Sequence, residues 1–372
     1  MTGNMSTSTF PVFALHLLIN HEQEAPLRRR AIRCMLLLTC LLTTWGRVAG
    51  TCAADDIVTL IPKSSGDNPT QVRGTVVDFS GQSLVLQTAT GQTSIPSNKV
   101  QSVQTDYSPS YQQGLKHLSA GQTSQAIRSF QAAVAAESRP WVRREILANA
   151  AIALQNAGRI VDAGNTFLKI VEEDPQTIHV EAIPLAWFSL PPDFERDRAA
   201  RIWLEMPSPY AQLLGASWLL GTSDRSKAIE TLGNLRRSKL PSIALLAEAQ
   251  LWQTKIVTAG ADDVSRWEKQ LAAGILRGAA LAGPTLVVGK AWRQLDNDEQ
   301  AALTLMRPPI LYPTHRPVAA ESLLQAGRSL ERSGKFEDAQ RVVNEVLRDY
   351  GDQPARQEAE QTLKRLANSG SN

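Results

Sequence analysis

Beyond residue 54 the chain carries three histidines, His117, His179 and His315, far apart and in no ligand-like spacing. Read singly, they are solvated or core imidazoles and not metal ligands. All three cysteines, Cys34, Cys40 and Cys52, fall within the first 54 residues. A chain cut after Ala54 therefore has no thiolate for a metal, a nucleophile or a disulfide. No Gly-rich phosphate loop follows a strand pattern, and no Gly-x-Ser-x-Gly occurs. The acidic runs Glu172-Glu173-Asp174 and Asp262-Asp263 read as solvated helix ends. The expectation is a protein without catalysis, metal or cofactor. Seven tryptophans (Trp141, Trp187, Trp203, Trp218, Trp252, Trp267 and Trp292) crowd the middle of the chain. They read as core fillers, with an aromatic pocket for peptide or sugar as the functional alternative.

The first 54 residues set apart a different kind of segment. Arg28-Arg29-Arg30 and Arg33 precede an apolar run from Cys34 to Gly46, followed by small residues through Ala54. That order is a secretory signal over about residues 28–54, with cleavage expected after Gly50 or Ala54. The run is shorter than the roughly 20 residues of a bilayer span. A lipidated Cys52 and a twin-arginine signal at Arg29-Arg30 are the competing readings. Five arginines against two glutamates in this segment account for the whole formal charge of +3. The remainder is neutral, with no general attraction for nucleic acid or anionic membrane. An exported chain, periplasmic or envelope-associated and without a membrane span once mature, is expected.

Residues 55–107 alternate with period two: Ile57, Thr59 and Ile61, then Val72 and Thr75-Val76-Val77, then Leu84-Val85-Leu86, Val100 and Val103. Turn chemistry separates them at Ser65–Pro69, Ser80-Gly81 and Thr90-Gly91. Four or five short strands forming a small β-barrel-like module are predicted. The stretch from Val72 to Asp78, with Gly81, Leu84–Leu86, Gly91 and Ile95-Pro96, is similar to small SH3-like or Sm-like barrels. With few basic residues (Lys63, Arg73, Lys99), it reads as a structural or docking module and not as an RNA binder.

From residue 108 the period becomes helical and repeats. The template is a small residue, a glycine seven on, an alanine five further and an apolar residue four beyond. Gly114, Gly121, Ala126 and Phe130 fit it. So do Ala151, Gly158, Ala163 and Phe167, and again Gly327, Gly334, Ala339 and Val343. Looser copies are Ala216, Ser223, Ala228, Leu232 and Gly289, Asp296, Ala301, Leu305. Small residues let two helices cross closely, and the glycine ends the first helix. The wide gaps predict further, degenerate pairs over about 178–206 and 243–281, the first broken by Pro184, Pro191 and Pro192. A capping helix is expected over Ala355–Leu366.

This pattern resembles tetratricopeptide (TPR) repeats of exported bacterial envelope proteins. The predicted fold is mainly α, a right-handed α-solenoid of TPR-like helix pairs over 108–368, preceded by the 55–107 module and followed by a disordered tail at 369–372. The resemblance implies protein or peptide binding in a concave groove lined by the first helix of each pair. Tyr111, Gln155, Asn156, Arg328 and Arg332 are the groove-facing candidates for contact. The alternatives are a self-assembling, homo-oligomeric or envelope-complex component, and a carbohydrate-binding or enzymatic accessory protein.

Overall fold

The computed structural model describes residues 56–62 and 68–369. The segment read as a signal, with all the cysteines, lies outside the described residues, as do residues 370–372. Within the described residues the chain is mainly helical, with one small antiparallel sheet.

Five strands form the sheet: β1 (Asp56–Leu60), β2 (Gln71–Phe79), β3 (Ser83–Thr88), β4 (Gly91–Pro96) and β5 (Val100–Gln104). Their order is β4-β3-β2-β1-β5, so the chain meanders and then returns to the far side of β1. A single helical turn, Ser97–Lys99, makes that return. Bulges at Thr59/Leu60 and Val76/Asp78 bend the two long pairings. Val76, Leu84 and Leu86 of the alternation are buried, but in β1 the fully buried apolar residue is Val58, between the expected Ile57 and Thr59, and Ile57 is only partly covered. Asp56 is buried with them, and its carboxylate accepts the Val76 N–H at 2.7 Å.

Helices follow: α1 (Pro109–Ser119), α2 (Thr123–Ala136), α3 (Pro140–Asn156) and α4 (Ile160–Glu173). After a long irregular stretch come α5 (Phe194–Glu205), α6 (Pro209–Leu219), α7 (Arg225–Leu235), α8 (Pro241–Gln253) and α9 (Ala261–Ala272). The last are α10 (Ala282–Gln294), α11 (Asp298–Leu305), α12 (Arg307–Leu311), α13 (Arg316–Arg332), α14 (Phe336–Asp349) and α15 (Arg356–Ser369). Proline sits in the first turn of α1, α3, α6, α8 and α13. There its missing N–H costs nothing and its φ is already helical.

The repeated residues fall where helices cross and turn. A Cβ on Gly114 would lie 2.5 Å from the Phe130 ring, and one on Gly327 would lie 2.4 Å from Val343 Cγ2. Only glycine allows those approaches. The turn positions Gly121, Gly158 and Gly334 take φ of +70°, +72° and +74°. Asp296 stands at the same place between α10 and α11 with φ +57°, the one non-glycine residue of positive φ among the described residues. Ala126, Ala151, Ala163, Ala339 and Phe167 are all fully buried.

The 178–206 stretch departs from the expected pair. A single turn, Val180–Ala182, leads into irregular chain, and only α5 is helical. Pro184, Pro191 and Pro192 remove N–H donors and bias the preceding residues away from helix. The 243–281 stretch does supply two helices, α8 and α9. Around the interior, α6 packs on α8, α8 on α10, α10 on α13, and α13 returns to α3. The array therefore closes on itself.

The sheet is fastened to α3 and to the end of α4. Trp141 Nε1 donates to Val76 O at 3.2 Å, and Arg144 donates to Asp78 Oδ1 at 2.5 Å and Phe79 O at 3.1 Å. Gly81 N donates to Asp174 Oδ2 at 2.8 Å. Sheet and helices share one apolar core. Among the described residues no helix is long and apolar enough to cross a membrane.

Candidate functional site

The non-helical chain between Ile183 and Pro192, turned at Pro184 and bent at Phe188, runs among the inner helices where the second helix of a pair is missing. Side chains of the surrounding helices hold it by its main chain. Ser217 Oγ on α6 accepts the Ala186 N–H at 2.7 Å, while Gln250 and Gln253 on α8 donate to Ala186 O at 3.1 and 3.0 Å. Trp218 Nε1 donates to Pro184 O at 2.8 Å. Trp187 is inserted against α10 at Gly283. These are amide, indole and hydroxyl groups aimed at peptide groups, so they fix a non-helical backbone with little regard to its side chains.

This strap is the common floor of two adjoining cavities, of about 550 and 510 Å³. Both are lined by Trp187, Phe188, Leu190 and Trp218. Each lies within the range of roughly 300–1,000 Å³ usual for ligand sites. The first is ringed by Arg196, Arg201, Arg225 and Lys290 against one carboxylate, Asp197. The second reaches the seam where the array closes, between Gly158 and Pro317.

A separate polar cluster sits under the sheet. The Glu145 carboxylate accepts the Tyr111 hydroxyl at 2.8 Å and the Tyr107 hydroxyl at 2.9 Å. Burial raises the Glu145 pKa above the ordinary carboxylate range, and both tyrosines are raised by burial and by that carboxylate. Glu181 is pushed up to about 7 by burial, with Glu145 adding to it. His179 Nδ1 is 3.9 Å from Glu181 Oε1, and its pKa is lowered to about 4 by burial and by Arg144. His315 Nε2 lies 3.0 Å from Glu181 O, its Nδ1 has no partner, and burial lowers its pKa. Two of the three described histidines thus meet at one residue, which their spacing in the chain does not reveal. Among the described residues no group of His, Cys, Asp and Glu is arranged to hold a metal.

The five contact candidates from the sequence are placed in different ways. Gln155 is buried and lines the second cavity. Asn156 beside it is a strut of the seam: its Nδ2 donates to Thr314 O at 2.8 Å and its Oδ1 accepts from Arg316 N at 3.2 Å. Tyr111 is buried and engaged with Glu145. Arg328 is paired with Glu358 at 2.6 Å. Arg332 is paired with Asp296 and with Asp298, the latter at 3.3 Å. Trp187 and Trp218, which the sequence offers as walls of an aromatic pocket, do line both cavities, whereas Phe188, Leu190 and the cation Arg225 are not among the candidates. The proline run was the available signal for them, since chain that cannot be helical must be held by other means. No protein-family model matches the chain, and no curated protein matches it.

Proposed function

We propose that this protein is an exported, non-catalytic TPR-type scaffold that binds an extended segment of a partner protein in the interior groove of its helical array. The observation that carries the reading is the strap. The array already holds one non-helical segment by its main chain at Pro184 and Ala186, through Ser217, Trp218, Gln250 and Gln253. Cavities beside that segment leave room for a second, with aromatic walls to receive its side chains. The repeated crossings at Gly114, Ala151 and Gly327 support the TPR assignment, and the strand order with its helical turn before β5 supports a small SH3-like module used for docking. The leader sequence supports export.

The test is site-specific photo-crosslinking from Phe188 and, as an outer-face control, from Phe336 in extract of the source cells. Crosslinks from Phe188 that map to one short partner segment support the reading. Crosslinks from Phe336 alone contradict it. A second reading, self-association, draws on Leu303, Ile310 and Leu311, which are 66%, 67% and 59% exposed around α11 and α12. Concentration-dependent mass in light scattering, lost on Ile310→Glu, would favour it.

A further inference from the structure

Main-chain hydrogen bonding along the strap is uneven. Ala186 is bonded at both its N–H and its C=O. From Trp187 to Leu190 the main-chain N–H and C=O groups have no hydrogen-bond partner among the described residues. The chain bends at Phe188, so these are four successive residues of unpaired, non-helical main chain and not a regular strand edge; peptide groups beside a cavity favour a partner that supplies the missing bonds. Trp187 is buried, Phe188 and Leu190 are partly buried and Ser189 is exposed, so the stretch is reachable from Phe188 onward.

The cavity beside this stretch is lined by Arg196, Arg201, Arg225 and Lys290 against the one carboxylate of Asp197. Arg201 and Lys290 are already committed, to Asp224 at 2.7 Å and Glu321 at 2.8 Å. Arg225 is exposed and donates only to Leu220 O, at 2.8 Å, with no carboxylate partner among the described residues. Arg196 is committed too: it lies over the Trp218 ring, 5.1 Å from its centroid, donates to Pro191 O at 3.0 Å and pairs with Asp197 at 3.5 Å. A guanidinium with spare donors is the group best suited to grip a carboxylate at two points.

We infer that the groove takes an acidic peptide, whose main chain bonds to the unpaired peptide groups of Trp187–Leu190 and whose Asp or Glu side chain is bound by Arg225. This rests on the groove reading above and names its ligand class. Pairing through the main chain makes the binding tolerant of sequence, and the arginine supplies the selectivity.

The experiment is a selection from a random displayed library of ten-residue peptides on the full-length protein, repeated with Arg225→Gln. Arg225 is exposed, so that variant keeps the fold. The expected result is an enriched set with Asp or Glu at one position. Its affinity should fall about tenfold on Arg225→Gln and about as much on changing the acid to its amide. Methylating alternate peptide nitrogens should abolish binding. An enriched set that is neutral or basic, or one indifferent to Arg225, overturns this inference and leaves the groove reading standing. If no peptide is enriched at all, the groove reading itself fails.

Discussion

The indole of Trp187 occupies the space that any side chain at position 283 would need: a Cβ on Gly283 would come within 2.0 Å of Trp187 Cε2. One end of the strap is thereby keyed into α10. Residues nearly a hundred positions apart in the chain are matched as knob and notch.

Gly283→Val should therefore displace Trp187 and cost about 1–3 kcal/mol by overpacking. Trp187→Ala should cost about 3–5 kcal/mol by opening a cavity. The double variant should cost clearly less than the sum, because the bulk added at 283 enters the space vacated by the indole. Urea unfolding of the four proteins measures this, and strict additivity would deny the contact.

Asp296 offers a test of the turn between α10 and α11. Its φ of +57° is left-handed, where a Cβ is strained and glycine is not. Asp296→Ala and Asp296→Gly both remove the exposed pair with Arg332, so their difference isolates the backbone. The Gly variant should be the more stable by about 1 kcal/mol. Equal stabilities would mean that the turn is not held left-handed in solution.

Ala163 and Ala339 are fully buried where helices cross. Replacing either with Asp places an unpaired charge in the core and should cost several kcal/mol, on the order of 3–5. Calorimetry on both variants checks it. An unchanged melting temperature would remove these alanines from the crossings.

The titration of Glu181 gives a pH signature. Its carboxyl is pushed up to about 7 from 4.5, so between those values the folded chain keeps a proton that the unfolded chain has released. That contribution falls as pH rises through the window. His179 works the other way: lowered to about 4 from 6.5, it adds stability as pH rises and is complete by 6.5. The two oppose each other below 6.5, and above it Glu181 acts alone. Relative to the native protein, Glu181→Gln should gain roughly 0.5–1 kcal/mol between pH 6 and pH 8, less than the full shift implies because 33% of the Glu181 side chain still meets water. A constant difference across that range would show that Glu181 does not titrate as described.

Much of the helical part was legible because its constraints are local. Gly121, Gly158 and Gly334 announce left-handed turns by residue type, and small residues at fixed spacing announce crossings. The period-two stretch gave the strands for the same reason. The strap was not legible as such. Prolines at 184, 191 and 192 forbid a helix, but nothing near them says that Ser217, Gln250 and Gly283 will take its place. The convergence of His179 and His315 on Glu181 was hidden too, because it exists only once the array closes at Asn156. Tyr111 shows the reverse error of local reading. A position on a groove-facing stretch was filled by a side chain that turned inward to Glu145, which lies on the next inner helix.

The most direct measurement is amide hydrogen exchange along the strap, with and without a selected acidic peptide bound. Trp187–Leu190 have no main-chain partners in the free protein, so their amides should exchange fast and become protected when the peptide binds, while Ala186, already bonded to Ser217, changes little. Protection that appears elsewhere in the molecule and leaves Trp187–Leu190 unchanged would contradict the account.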